Sequence, residues 1–60
     1  MPNTIETLQY GWGVSVEHDD TYLTSRVIDN GFVAKTFTGE TAWSDAERLA
    51  YDITVSRQYA

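Results

Sequence analysis

The first part of the chain alternates apolar and polar residues with a period of two. Between residues 8 and 18 the even positions are large or apolar: Leu8, Tyr10, Trp12, Val14, Val16 and His18. This alternation is typical of a strand with one buried face, so it predicts a first strand over residues 8–18 with Trp12 in the core. Gly11 and Gly13 then lie on the other face. They leave a bare strip there that lets the strand coil or lets a partner approach closely.

The next twenty residues predict two turns and two more strands. Asp19-Asp20 predicts a turn, and residues 21–29 (TYLTSRVID) are rich in the β-branched and aromatic residues that favour a strand. Asn30-Gly31 is a preferred pair for a type I′ hairpin turn, because both residues tolerate positive φ. Residues 32–38 (FVAKTFT) predict the third strand, which Gly39 ends.

Two-residue loops at both turns predict registers that agree with each other. The loop before the third strand pairs Val27 with Ala34, and the loop before the second pairs Val16 with Leu23 and Trp12 with Val27. Directly opposed residues share a face of a sheet. The buried face is therefore predicted to carry Trp12, Val14, Val16, Leu23, Val27, Phe32 and Ala34.

The last third of the chain changes to a helical period. Ser44 and Glu47 match the S-x-x-E capping box that begins many helices, and Thr41 is an alternative cap one turn earlier. An apolar stripe follows at helical spacing: Ala42, Ala46, Leu49, Ala50 and Ile53. The helix is predicted to run to about Gln58, although alternation after Ile53 leaves open whether residues 54–60 are helical.

Together these elements predict an α+β fold, a three-stranded antiparallel meander (β-β-β) with one C-terminal α-helix packed on one face as a two-layer sandwich. Residues 1–60 are predicted to form a single small domain, with residues 1–6 as a loose tail or an extension of the sheet edge. A 60-residue domain buries only about 60% of its unfolded surface. Since the chain has no cysteine, a homodimer or a partner protein is the available supplement.

Two apolar surfaces remain outside this predicted core. The outer face of the sheet carries Tyr22, Arg26, Ile28, Val33, Lys35 and Phe37. The two basic side chains in that set oppose each other in the predicted register, which is mildly unfavourable without an acidic partner. The helix carries a second stripe: Tyr51, Val55 and Tyr59. Each surface is either the ordinary scatter of exposed apolar residues or a protein interface.

Residue types that carry catalysis or bind metals are sparse. His18-Asp19-Asp20 has the groups for general-base chemistry, but neighbours in a turn diverge, so a solvated turn is the preferred interpretation. Ser44 is explained by its cap, and Gly11-x-Gly13 has no helix after it, as a phosphate loop would. One histidine and no cysteine exclude multi-histidine and thiolate metal centres within a chain. We therefore expect a protein with no catalytic residue, metal or cofactor.

Nine acidic and four basic residues give a net charge of −5. This charge argues against direct binding of nucleic acid and of anionic membranes. The acidity either serves solubility or complements a basic, nucleic-acid-binding surface of another protein, with Asp19 and Asp20 as candidates. The first residues do not resemble a signal peptide, so we expect a cytoplasmic protein, in the host cytoplasm if a phage encodes it.

Two functional hypotheses follow, from different classes. The first is a small acidic inhibitor, encoded by a phage or mobile element, that blocks a nucleic-acid-binding defence complex in the manner of an anti-CRISPR protein. The second rests on Gly39, Glu40 and Thr41 followed by Ala46 and Ala50, an arrangement similar to HicB-type antitoxin domains. That resemblance covers about the last twenty residues and lacks the proline- and cysteine-containing segment before the helix. It implies a homo-oligomeric regulatory module, and a structural subunit of a phage particle is a third alternative.

Overall fold

The computed structural model describes residues 4–59, which contain four strands and one helix. The elements are β1 (Ile5–Gly11), β2 (Val14–Asp19), β3 (Thr24–Asp29), β4 (Phe32–Thr38) and α1 (Ala42–Gln58). The strands form one antiparallel sheet in the order β1-β2-β3-β4, and α1 packs on one of its faces. The predicted α+β class, antiparallel sheet and C-terminal helix are confirmed, whereas the prediction of three strands is wrong.

The segment predicted as the first strand is a hairpin. Gly11, Trp12 and Gly13 all have positive φ, of 89°, 57° and 78°, and Gly11 pairs with Val14 across a two-residue turn. Positive φ at both central residues is what a type I′ turn requires. The two glycines therefore serve the turn and do not form a strip on a strand. Trp12 lies at the tip of this turn and not in the core.

A β-bulge explains why the alternation hid the turn. In a hairpin without a bulge, the pairing of Gly11 with Val14 would make every odd-numbered residue of β1 pair with an even-numbered residue of β2. The register shifts at Tyr10, however, so that Leu8 pairs with Val16. The extra residue restores the pairing of even positions with even positions. The even-numbered residues therefore stay on one face of the sheet on both sides of the turn. For this reason the alternation of this hairpin looks the same as that of one long strand.

The turn after β2 is also longer than predicted. Asp19 still belongs to β2 and pairs with Thr24, so residues 20–23 form the loop. The Asp19 carboxylate accepts the backbone N–H groups of Thr21 at 2.9 Å and Tyr22 at 3.4 Å. This is the usual way in which an aspartate stabilises the turn that follows it. The Asp19 side chain thereby holds a four-residue loop in place of the predicted two-residue one.

The longer loop moves the register of β2 and β3 by four residues. Val16 pairs with Val27, and the predicted pairings of Val16 with Leu23 and of Trp12 with Val27 are wrong. Because the shift is even, Val14, Val16 and Val27 still share the buried face, as predicted. Leu23 lies in the loop, exposed and with a positive φ of 46°.

The second predicted turn is confirmed, and the strand after it departs from the predicted register. Asn30 and Gly31 have positive φ, of 51° and 88°, and Asp29 pairs with Phe32. A bulge at Ala34 then shifts the ladder. As a result Val27 pairs with Lys35 instead.

This bulge changes which side chains face the helix. Lys35 and Phe37 lie on the helix side and not on the outer face. Arg26 lies opposite Glu17 and Thr36, so the predicted opposition of Arg26 and Lys35 does not occur. Phe32 and Ala34 are the two residues of this strand that were predicted to lie on the buried face, and both are exposed.

The predicted tail lies partly in the sheet. Ile5 and Glu6 belong to β1, which agrees with the alternative of an edge extension and not with a loose tail. Residues 1–3 lie outside the described residues.

The helix begins at the alternative cap. Thr41 is the N-cap of α1, and its hydroxyl donates to the Asp45 carboxylate at 3.0 Å. The Ser44 hydroxyl donates to the Thr41 carbonyl at 3.1 Å, so the predicted capping box of Ser44 and Glu47 does not form. The helix ends at Gln58, as predicted.

The core of residues 4–59 is small. Its buried hydrophobic residues are Val14, Val16, Val27, Ala42, Ala46 and Ala50. Larger side chains pack around it: Tyr10, Phe37, Trp43, Leu49 and Ile53. The predicted helical stripe is thus confirmed as the core face of α1. Because its centre consists of alanines, the helix backbone lies close to the sheet.

Candidate functional site

One end of the molecule is rich in acidic side chains. This acidic end is where β1 begins, β2 and β4 end, and α1 begins. Its residues are Glu6, Asp19, Asp20, Glu40 and Asp45. One basic side chain reaches this end from α1: Arg48 lines the same groove as Asp45. Five of the nine acidic residues of the chain lie at this end.

Backbone hydrogen bonds join the loops of the acidic end. The Asp20 N–H donates to the Thr4 carbonyl at 3.4 Å, and the Gly39 N–H donates to the Leu23 carbonyl at 2.9 Å. The loop after β2 is thus tied to the start of β1 on one side and to the connection before α1 on the other. These bonds hold the loop that carries Asp20 beside the connection that carries Glu40.

The candidate acids do not all have the same role. Asp20, Glu40 and Glu6 are exposed. Asp19 is buried and its carboxylate already accepts two backbone N–H groups. Its charge contributes to the field at this end, but its side chain is not presented to a partner. Tyr22, a predicted interface residue, lies in the same loop with 68% of its surface exposed.

His18 is not part of a solvated turn, as the sequence interpretation held. It lies on the buried face of β2 and is only 5% exposed. Its Nδ1 is 2.5 Å from the Ser25 hydroxyl, and its Nε2 is 3.1 Å from the Asp20 carboxylate. Its ring stacks on the Trp43 ring with centroids 4.4 Å apart. The predicted two-residue loop did not pair His18 with Ser25, which lies seven residues further along the chain. The four-residue loop sets the register that places Ser25 opposite His18.

Serine, histidine and aspartate here follow the order of a hydrolytic triad. A nucleophile must contact its substrate, but Ser25 has no exposed surface. Buried polar groups in proteins are normally hydrogen-bonded to each other. We therefore interpret His18, Ser25 and Asp20 as a network that joins β2, β3 and the loop of residues 20–23.

The predicted outer-face patch is smaller than expected. Ile28 and Val33 oppose each other there, with Ile28 half-buried and Val33 exposed. Tyr22 lies in a loop instead. Phe37 and Lys35 face the helix side, where the Lys35 ammonium lies 5.3 Å from the centre of the Phe37 ring. A shallow open groove of about 250 Å³ beside them is lined by Phe37, Asp45, Arg48, Leu49 and Asp52.

The second helical stripe is present as a pattern. Tyr51 and Tyr59 are exposed, and Val55 between them is half-buried. Tyr59 follows the last helical residue. A role in binding stays a prediction for all three.

The end opposite the acids exposes three aromatic side chains. This aromatic end consists of Trp12, Phe32 and Tyr59, which are 58%, 78% and 80% exposed. Arg57 forms hydrogen bonds to two of the segments that meet at this end. Its guanidinium donates to the Trp12 carbonyl at 3.1 Å and makes two bonds, of 2.7 and 2.6 Å, to the Asp29 carboxylate. Trp12 and Phe32 were not predicted as surface residues, because the alternation placed both in the core. The available signal for a turn was the glycine on each side of Trp12.

The Asp29–Arg57 pair predicts a loss of stability in acid. Hydrogen bonds from Arg57 lower the pKa of Asp29, against partial burial, which raises it. A carboxyl with a lowered pKa stabilises the fold above its unfolded pKa, near 4, and this contribution is lost as the pH falls through the folded pKa. We expect Asp29→Asn to lower the thermal midpoint at pH 7 and to flatten its decrease below about pH 4.

Thermal unfolding at pH 7 and pH 3 measures this effect. The exposed Asp52→Asn is the matched control and should leave both the midpoint and its acid dependence close to those of the parent chain. An Asp29→Asn chain as stable as the parent at pH 7 would show that the pair does not stabilise the fold.

Other kinds of site find little support among the described residues. No three His, Asp or Glu side chains in residues 4–59 are grouped closely enough to hold a metal ion. The helix in this part of the chain does not have the length and apolar character to cross a membrane.

The fold and its surfaces define a small acidic α+β protein, built from a four-stranded meander and one helix, with a charged end and an aromatic end. Comparisons with protein families, curated proteins and solved structures found no match to this chain. The resemblance to HicB-type domains is therefore carried only by residues 39–50 themselves, and the fourth strand is an addition to the predicted order.

Proposed function

We propose that this chain is a non-catalytic protein that binds a basic surface of another protein through its acidic end. The observation that carries the proposal is the location of five of the nine acidic residues at one end of the fold. Acidity that served only solubility would have no reason to be collected there. A predominantly negative surface attracts a partner of opposite charge and orients it during encounter.

The acidic end also presents an apolar anchor. Tyr22 and Leu23 are exposed on the loop between β2 and β3. The Asp19 carboxylate and the bond from Gly39 to Leu23 hold this loop, so little conformational freedom is lost when it binds. Tyrosine is enriched among the residues that contribute most to protein interfaces.

The basic partner that we propose is a nucleic-acid-binding surface. Such surfaces are lines or patches of lysine and arginine shaped for phosphates. A compact acidic end placed on one of them displaces the nucleic acid and so inhibits the partner. In its most specific form, the proposal is an inhibitor encoded by a phage or mobile element and directed against a nucleic-acid-guided defence complex, in the manner of an anti-CRISPR protein.

Binding by matched charge variants tests the proposal. The parent chain, an acidic-end variant (Asp20→Asn with Glu40→Gln) and a control (Glu17→Gln with Asp52→Asn) are immobilised and exposed to lysate from a nuclease-bearing host. Both variants lose two negative charges, but only the first loses them at the acidic end. We expect basic nucleic-acid-binding proteins on the parent and control columns and about tenfold weaker retention on the acidic-end variant.

A second step tests the mechanism with the purified partner. Added DNA should compete with the chain for it, and binding should weaken as salt is raised. Equal retention by the two variants, at unchanged thermal stability, would mean that only the total charge matters and would overturn the proposal. Failure of DNA to compete would overturn the assignment of a nucleic-acid-binding surface.

A further inference from the structure

We propose that the aromatic end is the contact surface of a symmetric dimer of this chain. Trp12 is the first reason. It occupies a turn position with φ of 57°, where asparagine, aspartate or glycine is preferred and a bulky side chain is strained. Burial within the chain does not offset this strain, because more than half of the side chain is exposed.

The aromatic end is held rigid by bonds from three elements. Arg57 joins the end of α1 to the Trp12 carbonyl and to Asp29 at the end of β3. The Asn30 N–H donates to the Gly13 carbonyl at 2.9 Å, so the two hairpin turns are also bonded to each other. A surface fixed in this way loses little entropy when it associates. It therefore has the properties of an interface and not of a loose loop tip.

The charge distribution favours a second copy as the occupant. Two copies that approach through their acidic ends repel each other. At the aromatic end the charges of Asp29 and Arg57 are paired within the chain, so among residues 4–59 an identical surface meets a balanced pair of charges there. In a symmetric dimer the same patch is used twice, and this arrangement keeps the acidic ends away from the contact.

The exposed area fits a weak dimer. Three aromatic side chains of about 150–250 Å² each, exposed to the fractions given above, offer on the order of 400 Å² of surface. A standard interface takes about 800 Å² from each partner. The three aromatic side chains thus supply about half of a standard interface, which is in the range of a weak contact. The small valine and alanine core makes such an addition valuable to the fold.

Sedimentation velocity over a range of concentrations tests the dimer. Trp12→Asn removes the ring and keeps a residue that accepts positive φ, and Phe32→Thr removes the second ring from a strand position. The control is Ile5→Thr, an exposed apolar residue at the start of β1, outside the aromatic end. We expect the parent and the control to dimerise with the same Kd, and each aromatic-end variant to raise the Kd about tenfold or more.

Two outcomes would overturn the dimer. One is a parent chain that stays monomeric up to on the order of 1 mM. The other is an unchanged Kd for Phe32→Thr, which stays informative even if Trp12→Asn fails to fold. Salt separates this interface from the acidic end, because apolar association persists in high salt, whereas binding by the acidic end weakens.

Discussion

Replacement of Ala46 by leucine is expected to be among the most destabilising single changes in this chain. Ala46 is fully buried where α1 faces Val16 and Val27. A larger side chain there must push the helix away from the sheet or take a strained rotamer, at a cost of about 1–3 kcal/mol. A 60-residue domain has a total stability of roughly 3–9 kcal/mol. We therefore expect the thermal midpoint to fall by about 5–20 °C.

Tyr51→Leu is the matched control, because it places the same residue on the same helix at an exposed position. Its midpoint should stay within a few degrees of the parent, and circular dichroism followed through the thermal transition compares the two. An Ala46→Leu chain as stable as Tyr51→Leu would mean that the helix does not lie as close to the sheet as its three buried alanines indicate.

The part of the fold that the sequence predicted well depends on local rules. Asn30-Gly31 has one favoured conformation, so the turn and the pairing of Asp29 with Phe32 were both correct. The alanine stripe of α1 was correct because helical spacing leaves one face for small residues. The shared face of the three core valines was correct because an even register shift leaves faces unchanged.

The errors come from single residues that change the register. One extra residue at Tyr10 and another at Ala34 each shift a ladder by one position, and the alternation of apolar and polar residues does not reveal either of them. The first hid a whole turn and placed Trp12 in the core. The second moved Lys35 and Phe37 to the other face. Candidate surfaces inferred from alternation alone were therefore reassigned, whereas the acidic end depends only on which loops meet and is less sensitive to register.

The two ends together suggest how the proposed activity and the proposed dimer are related. A dimer formed through the aromatic end carries two acidic ends directed away from the contact. Such a molecule binds two basic sites, or one extended site, more tightly than either end alone. Variants that abolish the dimer should then weaken binding to a partner without changing the intrinsic affinity of one acidic end. That intrinsic affinity is measured at a concentration low enough for the parent chain to be monomeric.

The last prediction concerns the polar network beneath the acidic end. His18 and Ser25 are both buried and bonded to each other. His18→Phe keeps a ring against Trp43 but leaves the Ser25 hydroxyl without this partner, and Ser25→Ala leaves His18 Nδ1 without its own. An unsatisfied buried polar group costs about 1–3 kcal/mol, whereas replacing both partners by apolar groups is nearly neutral. We expect each single variant to lose that much stability and the double variant to lose less than their sum.

Chemical denaturation of the parent, the two single variants and the double variant gives the coupling energy, which we expect to be about 1–2 kcal/mol. Additive losses would mean that the hydrogen bond contributes nothing beyond the packing of each side chain. A double variant that loses less stability than the sum of the two single losses would support a structural role for the serine, histidine and aspartate. In that case the variants should reduce partner binding only as far as they unfold the chain, because His18 and Ser25 do not themselves reach the surface.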